Sequence, residues 1–161
     1  MINNDVLRSI RYMLDLGDAH IVAIVLLAAP DPAAAPLVDL DAVRAYLKRE
    51  DEDGYVACPD RVLAHVLDGL VVHLRGRDPS LPPRRVETRV NNNVVLKKLR
   101  VAFALKDVDM HAVFAAAGYP IGKPELTALF RQAGHKHFRA CGDQILRNFL
   151  KGLTIRLRGT E

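Results

Sequence analysis

The stretch "ACPDRVLAHVLDGL", residues 57–70, returns as "ACGDQILRNFLKGL", residues 140–153. Aligned without a gap, the two share Ala57, Cys58, Asp60, Leu63, Leu67, Gly69 and Leu70 with Ala140, Cys141, Asp143, Leu146, Leu150, Gly152 and Leu153. Average composition predicts about one chance match over that length. A second block agrees upstream. "NNDVLRSIRYMLDLGD", residues 3–18, lies over "NNVVLKKLRVAFALKD", residues 92–107, with both asparagines, a Val-Leu pair, an Arg, a Leu and the final Asp in common. The first copy holds six more residues between the blocks, most simply at "PDPAAAP", residues 30–36, whose composition is that of a loop insertion. The chain therefore reads as a duplication: a first repeat over 1–76, a connector over 77–90 carrying three prolines and several charges, and a second repeat over 91–161.

Each repeat reads as about four helices, which makes the fold class all-α. Asn3 and Asn4 are favoured helix N-cap residues, and Val6, Leu7, Ile10 and Leu14 follow at helical spacing. Asn92 or Asn93 opens the equivalent helix with Val95, Leu96, Leu99 and Phe103. Asp18 and Asp107 stand where second helices begin, with Gly118 as a C-cap. Third helices follow Asp41 and Pro124. The repeated phrase is the fourth helix, with Val62, Leu63, Val66, Leu67 and Leu70 forming an apolar stripe matched by Ile145, Leu146, Phe149, Leu150 and Leu153. Asp60 and Asp143 are placed to cap its start. The endings "LVVHLRG" and "LTIRLRG" alternate and are β-branched, so a short strand after Gly69 and Gly152 is the alternative to continued helix. Glycine inside a helix costs about 1 kcal/mol relative to alanine. Its recurrence at Gly69 and Gly152 implies either close approach by another helix or a helix end.

Composition bounds the function. Half of the 161 residues are hydrophobic, enough for a core, and the net charge is +4. The start "MINNDVLRSIR" lacks the basic-then-apolar order of a secretory leader, and "IVAIVLLAA", residues 21–29, falls short of the roughly 20 residues that cross a bilayer. A soluble, cytoplasmic protein without membrane partners is expected. Two cysteines give no disulfide framework, which suits a reducing compartment. No P-loop, Rossmann glycine pattern, HExxH or GxSxG occurs, so no catalytic residues or cofactors are assigned. Residues 110–131 resemble a helix-turn-helix only loosely, since the connection from Gly118 to Lys123 exceeds the usual tight turn.

The two copies serve as an internal control, separating what the scaffold needs from what one repeat has changed. Residues 1–80 hold 8 Lys and Arg against 13 Asp and Glu, whereas residues 81–161 hold 15 against 6. Ala64 becomes Arg147, Asp68 becomes Lys151, Asp53 becomes Lys136, Val56 becomes Arg139 and His73 becomes Arg156. Arg147 and Lys151, at i and i+4, share one helix face away from the stripe. The bland account is a solvated face; the functional one is a surface for an anionic ligand. His135, His137 and Cys141 could in principle ligate zinc, but no second ligand cluster accompanies them, and a metal site is not expected. The two histidines with Lys136 and Arg139 fit a phosphate-contacting loop better. Cys58 and Cys141 read as small buried or capping residues.

"INNDVLRSIRYMLDL", "NNNVVLKKLRVAFALKD" and "ELTALFRQAGHKHFRACGDQILRNFLKGL" together resemble the YehS-like bacterial family, a domain of unknown function numbered 1456. The resemblance spans nearly the whole chain; "APDPAAAP" departs from it. It implies a small bacterial cytoplasmic protein with a duplicated helical unit and supplies no catalytic residues. The leading expectation is a non-enzymatic protein whose second repeat presents Arg131, His135, Lys136, His137, Arg139, Arg147 and Lys151 to RNA or DNA, the cations meeting phosphates. The alternative is a self-associating module in which the acidic repeat of one copy meets the basic repeat of another as a homodimer. An enzyme acting on a phosphorylated small molecule comes third.

Overall fold

The computed structural model describes residues 1–29, 31–82 and 85–159, with the Pro32 side chain outside the description. Every regular element among them is helical. The order is α1 (Asn3–Leu14), α2 (Asp18–Ala28), a 3-10 turn (Pro32–Ala34), α3 (Leu40–Leu47), α4 (Asp60–Arg75), α5 (Asn92–Ala102), α6 (Asp107–Ala116), α7 (Lys123–Leu129) and α8 (Asp143–Arg158). The chain divides into two compact units, Met1–Val90 and Asn91–Glu161. Among the described residues each has four α-helices in the same order. The β-branched endings of the repeated phrase continue α4 and α8 to Arg75 and Arg158, so the strand alternative fails. Among the described residues no helix is long and apolar enough to cross a membrane.

In the first unit Val6, Leu7, Ile10 and Met13 of α1 are buried, as are Ile21, Ile24 and Val25 of α2 and the whole α4 stripe. The second unit repeats the plan with Val95, Leu96 and Leu99 of α5, Met110, Val113 and Phe114 of α6, and the α8 stripe, where Phe149 meets Phe114 at 5.7 Å between ring centroids. Each such side chain contributes about 1.5–3 kcal/mol of apolar burial. The insertion between α2 and α3 stays outside the α-helices, with the Arg61 guanidinium donating to the Ala34 carbonyl at 2.6 Å. Pro30 lies outside the described residues.

Four helix starts differ from expectation. Asn3, Asn4, Asn92 and Asn93 lie inside α1 and α5, whose N-caps are Ile2 and Asn91. Asn91 Oδ1 accepts from the Val94 N–H at 2.9 Å, the cap bond that had been assigned to its neighbours. Asp60 and Asp143 likewise stand one residue inside α4 and α8, after Pro59 and Gly142, and do not cap them. In all these cases the polar side chain finds a tertiary partner instead, described below. The third helices are shorter than expected and end at Leu47 and Leu129, with Asp39 capping α3 through the Ala42 N–H.

The glycine expectation is met by close approach. A Cβ on Gly69 would lie 1.9 Å from the Ile24 carbonyl oxygen, so α2 crosses α4 backbone to backbone. A Cβ on Gly152 would lie 1.9 Å from the Val113 carbonyl oxygen, and Val113 is the α6 counterpart of Ile24. Gly69→Ala and Gly152→Ala must push two helices apart, and each is expected to cost about 3 kcal/mol or more in urea or thermal unfolding. Gly142→Ala, where nothing lies within 4 Å, should stay within about 1 kcal/mol of the natural protein.

Candidate nucleic-acid interface

Five of the seven residues singled out in the second repeat lie on the segment joining α7 to α8, and this segment is held by an asparagine clamp. Asn93 Nδ2 donates to the Leu129 and Arg139 carbonyls at 3.1 Å each, while its Oδ1 accepts from the Cys141 N–H at 2.8 Å. Asn92 Nδ2 donates to the Cys141 carbonyl at 3.0 Å and to Asp143 Oδ1 at 2.8 Å. The Arg139 N–H donates to the Ala128 carbonyl at 3.1 Å. One amide side chain thus satisfies three backbone groups that no helix or sheet serves.

The first unit contains the same clamp around the segment joining α3 to α4. Asn4 Nδ2 donates to the Tyr46 and Val56 carbonyls at 2.9 Å each, and its Oδ1 accepts from the Cys58 N–H at 2.9 Å. Asn3 Nδ2 reaches the Cys58 carbonyl at 2.9 Å and Asp60 Oδ1 at 2.7 Å. The shared asparagines and aspartates are therefore parts of the scaffold. Their pairing was visible as a repeated "NN" with a repeated Asp, but helix-cap propensity pointed to a local role. Only the fold brings α1 beside the third connection.

What the clamps hold is opposite in charge. In the first unit the loop carries Glu50, Asp51, Glu52 and Asp53, all exposed. The equivalent positions of the second unit carry Ala133, Gly134, His135 and Lys136, followed by His137 and Arg139. His135, Lys136, His137 and Arg139 are exposed and Arg131 is half-buried. Arg131 Nη1 lies 3.4 Å from both ring nitrogens of His135, and the His137 N–H donates to His135 Nδ1 at 3.0 Å. The two imidazole rings stand 5.7 Å apart and tilted. Arg139 Nη1 pairs with Glu125 Oε2 at 2.9 Å, a partner the sequence reading did not anticipate. That pair is about half-exposed, and pairs of this kind contribute only about 0–1 kcal/mol.

Arg147 and Lys151 belong to α8 itself. Both are exposed, one turn apart, whereas their counterparts Ala64 and Asp68 are buried on α4. Arg147 sits one turn after Asp143, whose charge it meets. The loop and α8 thus present their cations from separate elements of one unit. Two further arginines of this unit have defined partners. Arg100 lies 4.6 Å above the Phe130 ring and pairs with Asp107, while Arg156 pairs with Asp109 at 2.9 Å. The Lys106 N–H and the Arg156 side chain hold Asp109 below the usual carboxylate range.

The cysteines sit at equivalent buried positions beside the clamps. Burial pushes the Cys58 thiol up to about 12, with Asp60 adding to the rise, and the Cys141 thiol up to about 11. Neither is a nucleophile at neutral pH. Cys141 is buried while His135 and His137 are exposed, and among the described residues no group of three or more His, Cys, Asp or Glu is placed to hold a metal.

Comparison with known proteins agrees with this duplicated architecture. The model of a family described as a protein of unknown function, DUF1456, matches residues 3–76 and again 92–159. The chain is 44% identical over 156 residues to the uncharacterized protein YehS of Escherichia coli strain K12, covering 97% of this chain and 96% of the relative. The chain belongs to the DUF1456 family. No solved structure matched it.

Removing a clamp strands its three backbone partners, so Asn4→Ala or Asn93→Ala should cost about 2–4 kcal/mol in urea unfolding. For the thiols, a folded pKa raised above the unfolded value means that their contribution is full below about pH 9 and is lost as pH rises toward 11–12. Unfolding titrations should therefore show stability falling above pH 9, and Cys58→Ala with Cys141→Ala should flatten that fall. Thiol-reactive dyes at neutral pH should label the unfolded chain and spare the folded one.

Proposed function

We propose that the protein is a non-enzymatic binder of nucleic acid, RNA or DNA, acting through its second unit. The observation that carries this reading is the contrast between two equivalent loops. The same asparagine clamp holds an acidic loop in one unit and a cationic, histidine-bearing loop in the other. The clamp itself calls for neither charge, because its bonds run between an asparagine side chain and backbone groups. Arg131, Lys136 and Arg139 on the loop, with Arg147 and Lys151 on α8, supply cations to phosphates. His135 and His137 add hydrogen-bonding and stacking groups. The Arg139–Glu125 pair is weak enough to exchange Glu125 for a phosphate oxygen.

The test is fluorescence anisotropy with labelled duplex DNA and labelled RNA. With about five phosphate contacts, a fourfold rise in salt is expected to weaken binding by roughly 10²–10³-fold. Arg147→Glu combined with Lys151→Glu should weaken it further and flatten the salt dependence by about two contacts. Binding indifferent to both salt and charge reversal refutes the reading.

A second reading, self-association through acidic and basic units, draws on the same contrast, since the acidic loop at 50–53 is the electrostatic complement of the basic one at 135–139.

A further inference from the structure

Beyond the asparagine clamp, each third connection is tied from within by the side chain at one equivalent position. In the first unit Glu52 Oε1 accepts from the Arg49 N–H at 3.0 Å, so a carboxylate holds its own loop backbone. The equivalent residue of the second unit is His135, whose Nδ1 accepts from the His137 N–H at 3.0 Å. A carboxylate accepts throughout the neutral pH range, whereas an imidazole nitrogen accepts only while it carries no proton. Histidine is the side chain whose charge ordinarily changes between about pH 5 and 8. The second loop has exchanged a lasting tie for one that acid releases.

The surroundings decide what a proton on His135 does. Lys48 of the first unit donates to the Asp53 carbonyl, but its equivalent, Arg131, lies with Nη1 3.4 Å from both ring nitrogens of His135, and its Nε is buried without a hydrogen-bond partner. On the same segment the His137 ring stands 5.7 Å away, with Lys136 between the two histidines and Arg139 beyond them. From the helices packed against the segment, Glu125 of α7 is turned to Arg139, Asp143 of α8 accepts from Asn92, Arg147 of α8 is exposed, and Arg100 of α5 lies over Phe130. A positive charge on His135 is therefore repelled by Arg131 unless an anion lies between them.

We propose that the loop takes up a proton at His135 when it binds the phosphates of a nucleic acid, so that binding tightens as the solution becomes more acid. The proton comes from the buffer. It turns Nδ1 from acceptor to donor and breaks the bond to the His137 N–H. That N–H and both ring N–H groups are then free for phosphate oxygens, whose charge offsets Arg131 and the new imidazolium. By linkage, a ligand that favours the protonated ring is itself favoured by acid. This inference rests on the nucleic-acid reading and adds the regulation of that same site.

Anisotropy of the full chain with labelled DNA and RNA, at fixed ionic strength and at about pH 8 and about pH 5.5, tests it. The readout is the ratio of the two affinities, so a variant that binds more weakly throughout still reports. The natural chain is expected to bind roughly three- to tenfold more tightly at the lower pH. His135→Gln, whose amide oxygen can still accept from the His137 N–H but gains no charge, should lose most of that rise, while His137→Gln should keep it. Nitrogen NMR of the ring at about pH 8, before ligand is added, should find the proton on Nε2 and Nδ1 bare. A proton on Nδ1 there, a rise undiminished in His135→Gln, or a rise removed by His137→Gln instead overturns the proposal, while salt-sensitive binding keeps the nucleic-acid reading. A chain that binds neither DNA nor RNA at either pH overturns both.

Discussion

The crossing of α2 over α4, and of α6 over α8, is the constraint on which each unit depends. Gly69 and Gly152 have no side chain, and the carbonyls of Ile24 and Val113 occupy the space a Cβ would take. Two helices that touch through backbone align their neighbouring side chains closely, so the stripes of α4 and α8 are buried along nearly their whole length. The leucines add apolar burial, but they could pack many ways. The glycine admits one crossing and thereby sets where α1 and α3, or α5 and α7, must lie.

Once that crossing places α1 or α5 beside the third connection, its asparagines are positioned to serve the connection's carbonyls. The three backbone bonds of the clamp are consequently the same in both units. A loop whose backbone is held by a residue outside it is free to vary its own side chains. This separation of backbone restraint from side-chain chemistry lets one loop carry four carboxylates and its twin two histidines and a lysine. Strain is tolerated in the same duplicated manner, since Asp15 and Ala104 both take φ of 52° at the ends of α1 and α5.

Surface electrostatics follow from that freedom. Several cations of the second unit have found carboxylates, but the pairs at Arg139 and Arg156 are substantially exposed and hold weakly. The buried polar groups behave differently. Asn4 is committed by its hydrogen bonds, His65 lies 2.8 Å from the Arg61 carbonyl through Nδ1, and the two thiols are neutralised by burial.

The amino-acid sequence by itself determined the duplication, the helical class and the apolar stripes, because each is a periodic or repeated pattern whose physical cause acts within a few residues or recurs in both copies; it marked Gly69 and Gly152 as special and left close approach or a helix end open, which the fold decided for close approach. It also located the charge difference between the units, since charge is a property of residue type. Only the tertiary structure decided that the "NN" pairs clamp a distant loop rather than cap their own helices, and that Asp60 and Asp143 receive those asparagines. It likewise decided that Arg139 faces Glu125. The clamp bonds join residues 36 to 57 positions apart and so depend on how helices cross, and a short polar side chain looks the same in sequence whichever partner it finds.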